Sequence, residues 1–209
     1  MAFIIAVAQQ KGGAGKSTVT ANLAAALAAD FRVALLDTDP QATLSRWAEL
    51  RAGQPAARPL TFEAVSGWRV PASIDKLARD HDIVLLDTAP HAETDSKVAI
   101  RAASLVLIPM QPAGPDLWAS EATLKLAGSE KRQALVLLNR VPAQGRLKDQ
   151  IGAELDSRKL ATLGPGWGNR TGFATAFMQG LGVTEASPRS TAAEEVLASV
   201  AALKALMPG

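Results

Sequence analysis

Residues 8–18 read Ala-Gln-Gln-Lys-Gly-Gly-Ala-Gly-Lys-Ser-Thr. An apolar run, Phe3 to Ala8, precedes this stretch and a helix-like run, Ser17 to Ala29, follows it. Strand, glycine-rich loop and helix in that order make a phosphate-binding loop. Gly12, Gly13 and Gly15 let the backbone approach a polyphosphate, so that successive N–H groups, with that of Ala14 among them, donate to its oxygens. The N-terminus of the following helix adds partial positive charge. Lys16 reaches the β- and γ-phosphates, Ser17 offers a hydroxyl to Mg²⁺, and Thr18 stands at the α-phosphate.

Apolar runs alternate with helix-like stretches along the rest of the chain. Strands are expected at Phe3–Ala8, Arg32–Asp37, Leu60–Val65, Asp82–Asp87, Leu105–Pro109 and Ala134–Asn139. Helices are expected at Ser17–Ala29, Ala42–Ala52, Ala72–Arg79, Thr94–Ala102, Leu117–Gly128 and Leu147–Arg158, and again from Thr191. The strand segments are near-continuous Val/Ile/Leu runs, the pattern of strands buried on both faces. The expectation is an α/β fold, a mostly parallel central sheet with helices on both faces, in a single P-loop ATPase domain over residues 1–209. Ligands in such sheets bind beyond the carboxyl ends of the strands. Gly164-Pro165-Gly166-Trp167-Gly168-Asn169 reads as a turn cluster.

Two strands end in aspartate: Leu35-Leu36-Asp37-Thr38-Asp39-Pro40-Gln41 and Leu85-Leu86-Asp87-Thr88-Ala89-Pro90. A carboxylate at a strand's carboxyl end beside a phosphate loop can hold Mg²⁺ directly or through water. Asn139-Arg140-Val141-Pro142 closes the sixth strand. A guanine reader of the Asn-Lys-x-Asp type has a carboxylate at its fourth position; Pro142 offers none, so ATP is the expected nucleotide. Asn139 is the candidate adenine contact, with a plain strand-end turn as the alternative.

The loop departs from the commonest phosphate-loop pattern, which has a glycine where Gln10 stands, and it carries a second lysine, Lys11. Lys-Gly-Gly-x-Gly-Lys-Ser resembles the deviant Walker A signature of the ParA/MinD family of dimerising ATPases, closest to short ParA-type proteins without an N-terminal helix-turn-helix; a strand starting at Phe3 leaves no room for one. The resemblance implies that Lys11 crosses a dimer interface to the partner's nucleotide. It also implies that Asp37 lies in the magnesium shell, that Asp39 orients the attacking water, and that Asp87 is the Walker B aspartate with Thr88 to Pro90 sensing the γ-phosphate. Pro109, Pro112 and Pro115 with Asp116 resemble the proline-rich dimer edge of small ParA proteins, or simply stop the loop after the fifth strand. The implied function is ATP-driven homodimerisation, non-specific DNA binding on the nucleoid, weak intrinsic ATPase activity, and hydrolysis stimulated by a ParB-like or cargo adaptor. The outcome would be plasmid or chromosome partition, or cargo positioning.

Composition narrows the alternatives. The chain has 209 residues and no cysteine, which excludes disulfides and the iron–sulfur members of this superfamily; the absence of tyrosine excludes a tyrosine autokinase. No uncharged stretch exceeds 14 residues, short of the ~20 needed to span a membrane. No basic region precedes the first apolar run, so no signal peptide is expected and the protein reads as cytoplasmic. A MinD-like membrane ATPase would need a basic amphipathic C-terminal helix, whereas the last helix has Lys204 as its only basic residue against Glu194 and Glu195. A metabolic ATP-dependent ligase would not need Lys11.

Net charge is only +2, yet Lys131 to Gly172 holds eight basic residues against three acidic ones. The candidate DNA contacts are Arg158, Lys159, Arg170 and Arg189. His81 and His91 have no partners at metal-ligand spacing and read as surface or switch-loop residues. Trp47 reads as a packing residue; Trp68, Trp118 and Trp167 are scattered, without the interleaving of a base-stacking surface.

Overall fold

The computed structural model describes residues 2–90 and 93–208, with the backbone alone at residues 93–95; His91 lies outside the described residues. The strands are β1 (Phe3–Val7), β2 (Val33–Asp37), β3 (Thr61–Ala64), β4 (Ile83–Asp87), β5 (Leu105–Met110) and β6 (Gln133–Leu138). They form one sheet in the order β3-β2-β4-β1-β5-β6, with every pairing parallel. The helices are α1 (Lys16–Leu27), α2 (Thr43–Arg51), α3 (Val70–Asp80), α4 (Glu93–Ala102), α5 (Gly114–Ser129), α6 (Leu147–Ser157), α7 (Thr171–Met178), α8 (Val183–Ala186) and α9 (Thr191–Lys204).

The two-residue period of the strands divides the apolar residues between the faces of the sheet. Ile5, Val7, Leu35, Leu85 and Leu107 pack with α1, α2, α7 and α9, whereas Ala6, Leu36, Leu86, Val106 and Ile108 pack with α3, α4 and α5. A third cluster under α6 joins Met110, Leu138, Ile151 and Leu155. The chain leaves β1 for β2 on one side and β4 for β5 on the other, so the neighbouring strands β1 and β4 flank a topological switch point. In register, Val7 and Asp37 both lie opposite Asp87, which sets two aspartates on one row beside the start of the phosphate loop.

α1 is buried nearly all round, as expected of a helix whose every face is apolar or small. Its polar residue Asn22 is satisfied: Oδ1 accepts from the Val183 amide at 2.8 Å and Nδ2 donates to the Thr18 carbonyl at 2.8 Å.

The turn cluster at 164–169 does more than turn. Gly164 and Gly166 have φ of 65° and 83°. The segment runs beside β6 through the Trp167 amide to Leu138 carbonyl bond (2.7 Å) and the Val141 amide to Trp167 carbonyl bond (2.9 Å). Trp167 is fully buried, stacked on Phe173 at 5.2 Å, and donates from Nε1 to Ser199 Oγ at 3.0 Å. Trp47 is also buried and donates to the Leu181 carbonyl, while Trp68 and Trp118 are exposed. His81 spends both ring nitrogens locally, on the Leu77 carbonyl and the Thr61 hydroxyl.

A buried ion pair fastens α2 to the short α8. Arg51 and Glu185 meet at 2.6 Å with side chains 7% and 1% exposed. Arg51 also donates to the Gly180 and Arg58 carbonyls, and Glu185 accepts from the Arg58 and Gly182 amides. Burial pushes the Glu185 carboxyl up, but the Arg51 guanidinium and these amides outweigh it and hold the pKa below the ordinary value. Removing one partner of such a pair strands a buried charge. Glu185→Ala is expected to lower stability in urea unfolding by about 3–5 kcal/mol, and a paired Arg51→Met, Glu185→Leu replacement to recover most of that. A single-variant loss below about 1 kcal/mol would show that the pair is solvated in solution.

Candidate nucleotide-binding site

The loop between β1 and α1 is shaped by two glycines in the left-handed region, Gly13 at φ 76° and Gly15 at φ 91°. A side chain at Gly15 would also strike Asn139, whose amide nitrogen lies 2.3 Å from where a Cβ would stand. Gly12 and Gly13 meet nothing within 4 Å on that side, leaving their backbone open. The loop is braced from the sheet: Asn139 Nδ2 donates to the Ala14 carbonyl at 3.1 Å, and Lys16 Nζ donates to the Gln9 carbonyl at 3.2 Å. Gly12, Gly13, Gly15, Lys16, Ser17, Thr18 and Asp39 line one cavity of about 210 Å³, together with Gln41, Thr43, Pro90 and Arg140. Of the last four, Pro90 ends the 88–90 stretch expected to sense the γ-phosphate, whereas sequence reasoning gave no role to Gln41, Thr43 or Arg140. A basic residue following Asn139 at a strand's carboxyl end was the available signal for Arg140.

The aspartates at and near this cavity have different surroundings. Asp37 is fully engaged: Oδ1 accepts from the Asp39 amide at 3.0 Å, and Oδ2 from the Ser45 amide at 2.9 Å and hydroxyl at 2.7 Å. It ties the 39–45 loop and the start of α2 to the end of β2. Asp39 is half-buried, and its Oδ1 accepts from the Gln41 amide at 2.9 Å. Asp87 is fully buried, and neither oxygen has a hydrogen-bond partner of good geometry among the described residues. Burial pushes its carboxyl up to about 7; the nearby Ser17 hydroxyl and Lys16 ammonium pull against that, while Asp37 and Asp39 add to it. Burial also lowers the Lys16 pKa, opposed by Asp87 and Asp39.

A buried carboxylate without partners, beside a hydroxyl, is a hard-oxygen environment that a divalent cation fits. Asp87 and Ser17 would hold Mg²⁺, which would neutralise phosphate charge. Among the described residues no group of three His, Asp or Glu side chains forms a metal cage.

Beside the phosphate cavity lies a second cleft of about 360 Å³, lined by Thr18, Asn139, Arg140, Asn169, Arg170 and Thr171 among others. Asn139 is 4% exposed, and both ends of its amide are used, Nδ2 on Ala14 and Oδ1 on the Arg140 amide at 2.9 Å. In this geometry it braces the loop. Lys11 does not line the cavity; its ammonium is ion-paired with Asp116, a buried residue in the first turn of α5. The surface candidates differ in their partners. Arg158 pairs with Glu121 and Glu154, Arg170 forks onto Glu195, and Lys159 and Arg189 are exposed without ion pairs among the described residues.

Residues 5–205 match the model of the CobQ/CobB/MinD/ParA nucleotide binding domain. The chain belongs to this family. Among similar curated proteins, Maintenance of carboxysome distribution protein A of Halothiobacillus neapolitanus is 28% identical over 204 residues, spanning 93% of each chain. The MinD cell division protein of Aquifex aeolicus superposes with a TM-score of 0.81 at 20% identity, covering 100% of this chain and 99% of that one. A Cyanothece McdA variant in complex with ATP superposes at 0.80 and 18% identity, covering 98% and 96%. The phosphate cavity and the adjoining cleft share Thr18 and Arg140 in their linings.

Because the Asp87 pKa is raised, native protein without ligand binds a proton that the unfolded chain releases. Stability should therefore fall as pH rises from about 4 to about 7 and stay level above that. Nucleotide-free Asp87→Asn is expected to unfold at higher temperature than the wild type at pH 8, by the equivalent of a few kcal/mol, on the order set by the shift. The gap should close near pH 4. A difference independent of pH would place the carboxylate in a hydrated setting instead.

Proposed function

We propose that this protein is a ParA-type positioning ATPase. It binds ATP and Mg²⁺, dimerises on ATP, and holds non-specific DNA of the nucleoid as a dimer. It is released when a ParB-like or cargo adaptor stimulates hydrolysis. The observation that carries the reading is Lys11: it opens the phosphate loop yet stays off its own chain's cavity, held at the rim by Asp116. Released from Asp116, a lysine there can serve a nucleotide bound by a second copy.

The residues divide the chemistry. Backbone amides of the 12–18 loop and Lys16 fix the phosphates, with Lys16 already buried and therefore presenting its charge without much water. Asp39 orients a water whose oxygen bonds to the γ-phosphorus as the bond to the β–γ bridging oxygen breaks, leaving ADP and phosphate. A slow basal rate fits a site that waits for the partner's Lys11 and an adaptor.

For DNA, the supporting observation is the basic 131–172 segment, where Arg158 and Arg170 carry acidic neighbours and Lys159 has no ion pair among the described residues, with Arg189, also without one there, beyond it. Phosphate binding through such groups weakens steeply with salt, and dimerisation doubles their number. No helix among the described residues is long and apolar enough to cross a membrane. Lys204 in the last helix is paired with Asp30.

Lys16→Ala is expected to abolish ATP binding, whereas Lys11→Ala should bind ATP as a monomer; light scattering with ATP and Mg²⁺ separates them. Normal dimerisation of Lys11→Ala overturns the reading. Retention on unrelated duplex DNA should require ATP and decline with salt. Retention lost by Lys159→Glu with Arg189→Glu supports the surface assignment, and retention without nucleotide contradicts the switch. A pull-down on anionic liposomes tests the membrane-associated MinD-like alternative.

A further inference from the structure

Two residues, Thr18 and Arg140, line both the phosphate cavity and the neighbouring cleft. They therefore mark the throat through which the two spaces communicate. A nucleotide with its phosphates on the 12–18 loop and its base in the 360 Å³ cleft must thread this throat at its α-phosphate and ribose. Thr18 bounds the throat from the first turn of α1, and Arg140 bounds it from the end of β6.

The Arg140 side chain has no hydrogen bond or ion pair among the described residues, and the residue is exposed. Its neighbours in the basic segment differ: Arg158 and Arg170 each have carboxylate partners. Arg140 also has a φ of 53°, a conformation that costs a non-glycine residue energy and that marks functional positions when the surroundings enforce it. Here the enforcement is visible. Asn139 Oδ1 accepts from the Arg140 amide at 2.9 Å while Asn139 Nδ2 holds the Ala14 carbonyl. One buried amide thus fixes both the phosphate loop and the backbone of Arg140, so the arginine is positioned relative to the loop that would carry the phosphates.

From these observations we infer that Arg140 is a nucleotide-binding residue that pairs with the α-phosphate across the throat from Thr18. The inference rests on the nucleotide reading of the site. It assigns to this arginine a role separate from that of Lys16, which serves the outer phosphates. A guanidinium on the α-phosphate contributes equally to ADP and ATP, because both carry that group in the same place.

The test is titration of Mg·ADP and Mg·ATPγS into the full chain by calorimetry. Arg140→Ala is expected to weaken both nucleotides by about 10- to 100-fold, the range for one charge-assisted contact. Arg140→Lys should recover part of the loss. Arg140→Gly suits φ 53° and removes the guanidinium without backbone strain, so it should match Arg140→Ala. If both truncations bind ADP within about twofold of the wild type, the assignment fails. A loss confined to ATPγS also overturns it, because the contact would then be to the γ-phosphate. Wild-type protein that binds neither nucleotide would overturn the nucleotide reading itself, and the throat assignment with it.

Discussion

The burial of Asp87 against Lys16 is the constraint on which the rest of the site depends. Parallel register sets Asp37 and Asp87 on one row at the sheet's carboxyl edge, and Asp39 follows two residues later. Three carboxylates and one buried lysine share a small volume, so the site is short of positive charge. Asp37 escapes by spending both oxygens on the 39–45 loop. Asp87 has no such outlet among the described residues, and its pKa rises to about 7 in consequence. A site of this kind is completed by a ligand that brings a cation, and a metal-bound polyphosphate does so.

The switch point explains why the charges converge there. β1 and β4 are neighbours whose connections leave toward opposite faces, so the loop after each is free to open at the same edge. Thr38 and Thr88 knit the strand ends together by donating to the Asp87 and Val7 carbonyls at 2.9 and 3.0 Å. The floor of the site is therefore sheet, with residues of the 39–45 loop and Pro90 lining its edge. Rigid placement of fixed dipoles is what makes a phosphate site effective, since little reorganisation remains when the ligand arrives.

Much of this was legible in the sequence because it rests on local chemistry. The glycines of the loop, the apolar runs and the strand-end aspartates each follow from nearest-neighbour pattern, and the six strands and the alternating helices through α6 fall within a few residues of expectation. α7 and α8 were not legible. They are short, α7 lies between Gly168 and Gly182 and α8 directly follows Gly182, and they hold together through contacts distant in sequence, such as Arg51 with Glu185 and Asn22 with Val183. Trp167 read as scattered for the same reason, since its partner Ser199 lies on α9. Asn139 was legible as a site residue, but the use of its amide was not, because that depends on where the Ala14 carbonyl points. The pairing of Lys11 with Asp116 was equally hidden, although both residues were noted separately.

That pairing links the fold to the proposed cycle. The ammonium that would serve a partner is docked on its own α5, on a buried carboxylate whose other oxygen accepts from the Gln111 amide. Dimerisation must move the lysine off this site, so the energy of a second nucleotide contact has to exceed that of the internal pair. The most direct measurement is a crystal structure of Asp39→Ala, slowed in hydrolysis, with ATP and Mg²⁺. The account predicts a two-fold dimer in which Lys11 has left Asp116 and contacts the phosphates bound by the other copy. Lys11 still on Asp116, or on the nucleotide of its own chain, would contradict it.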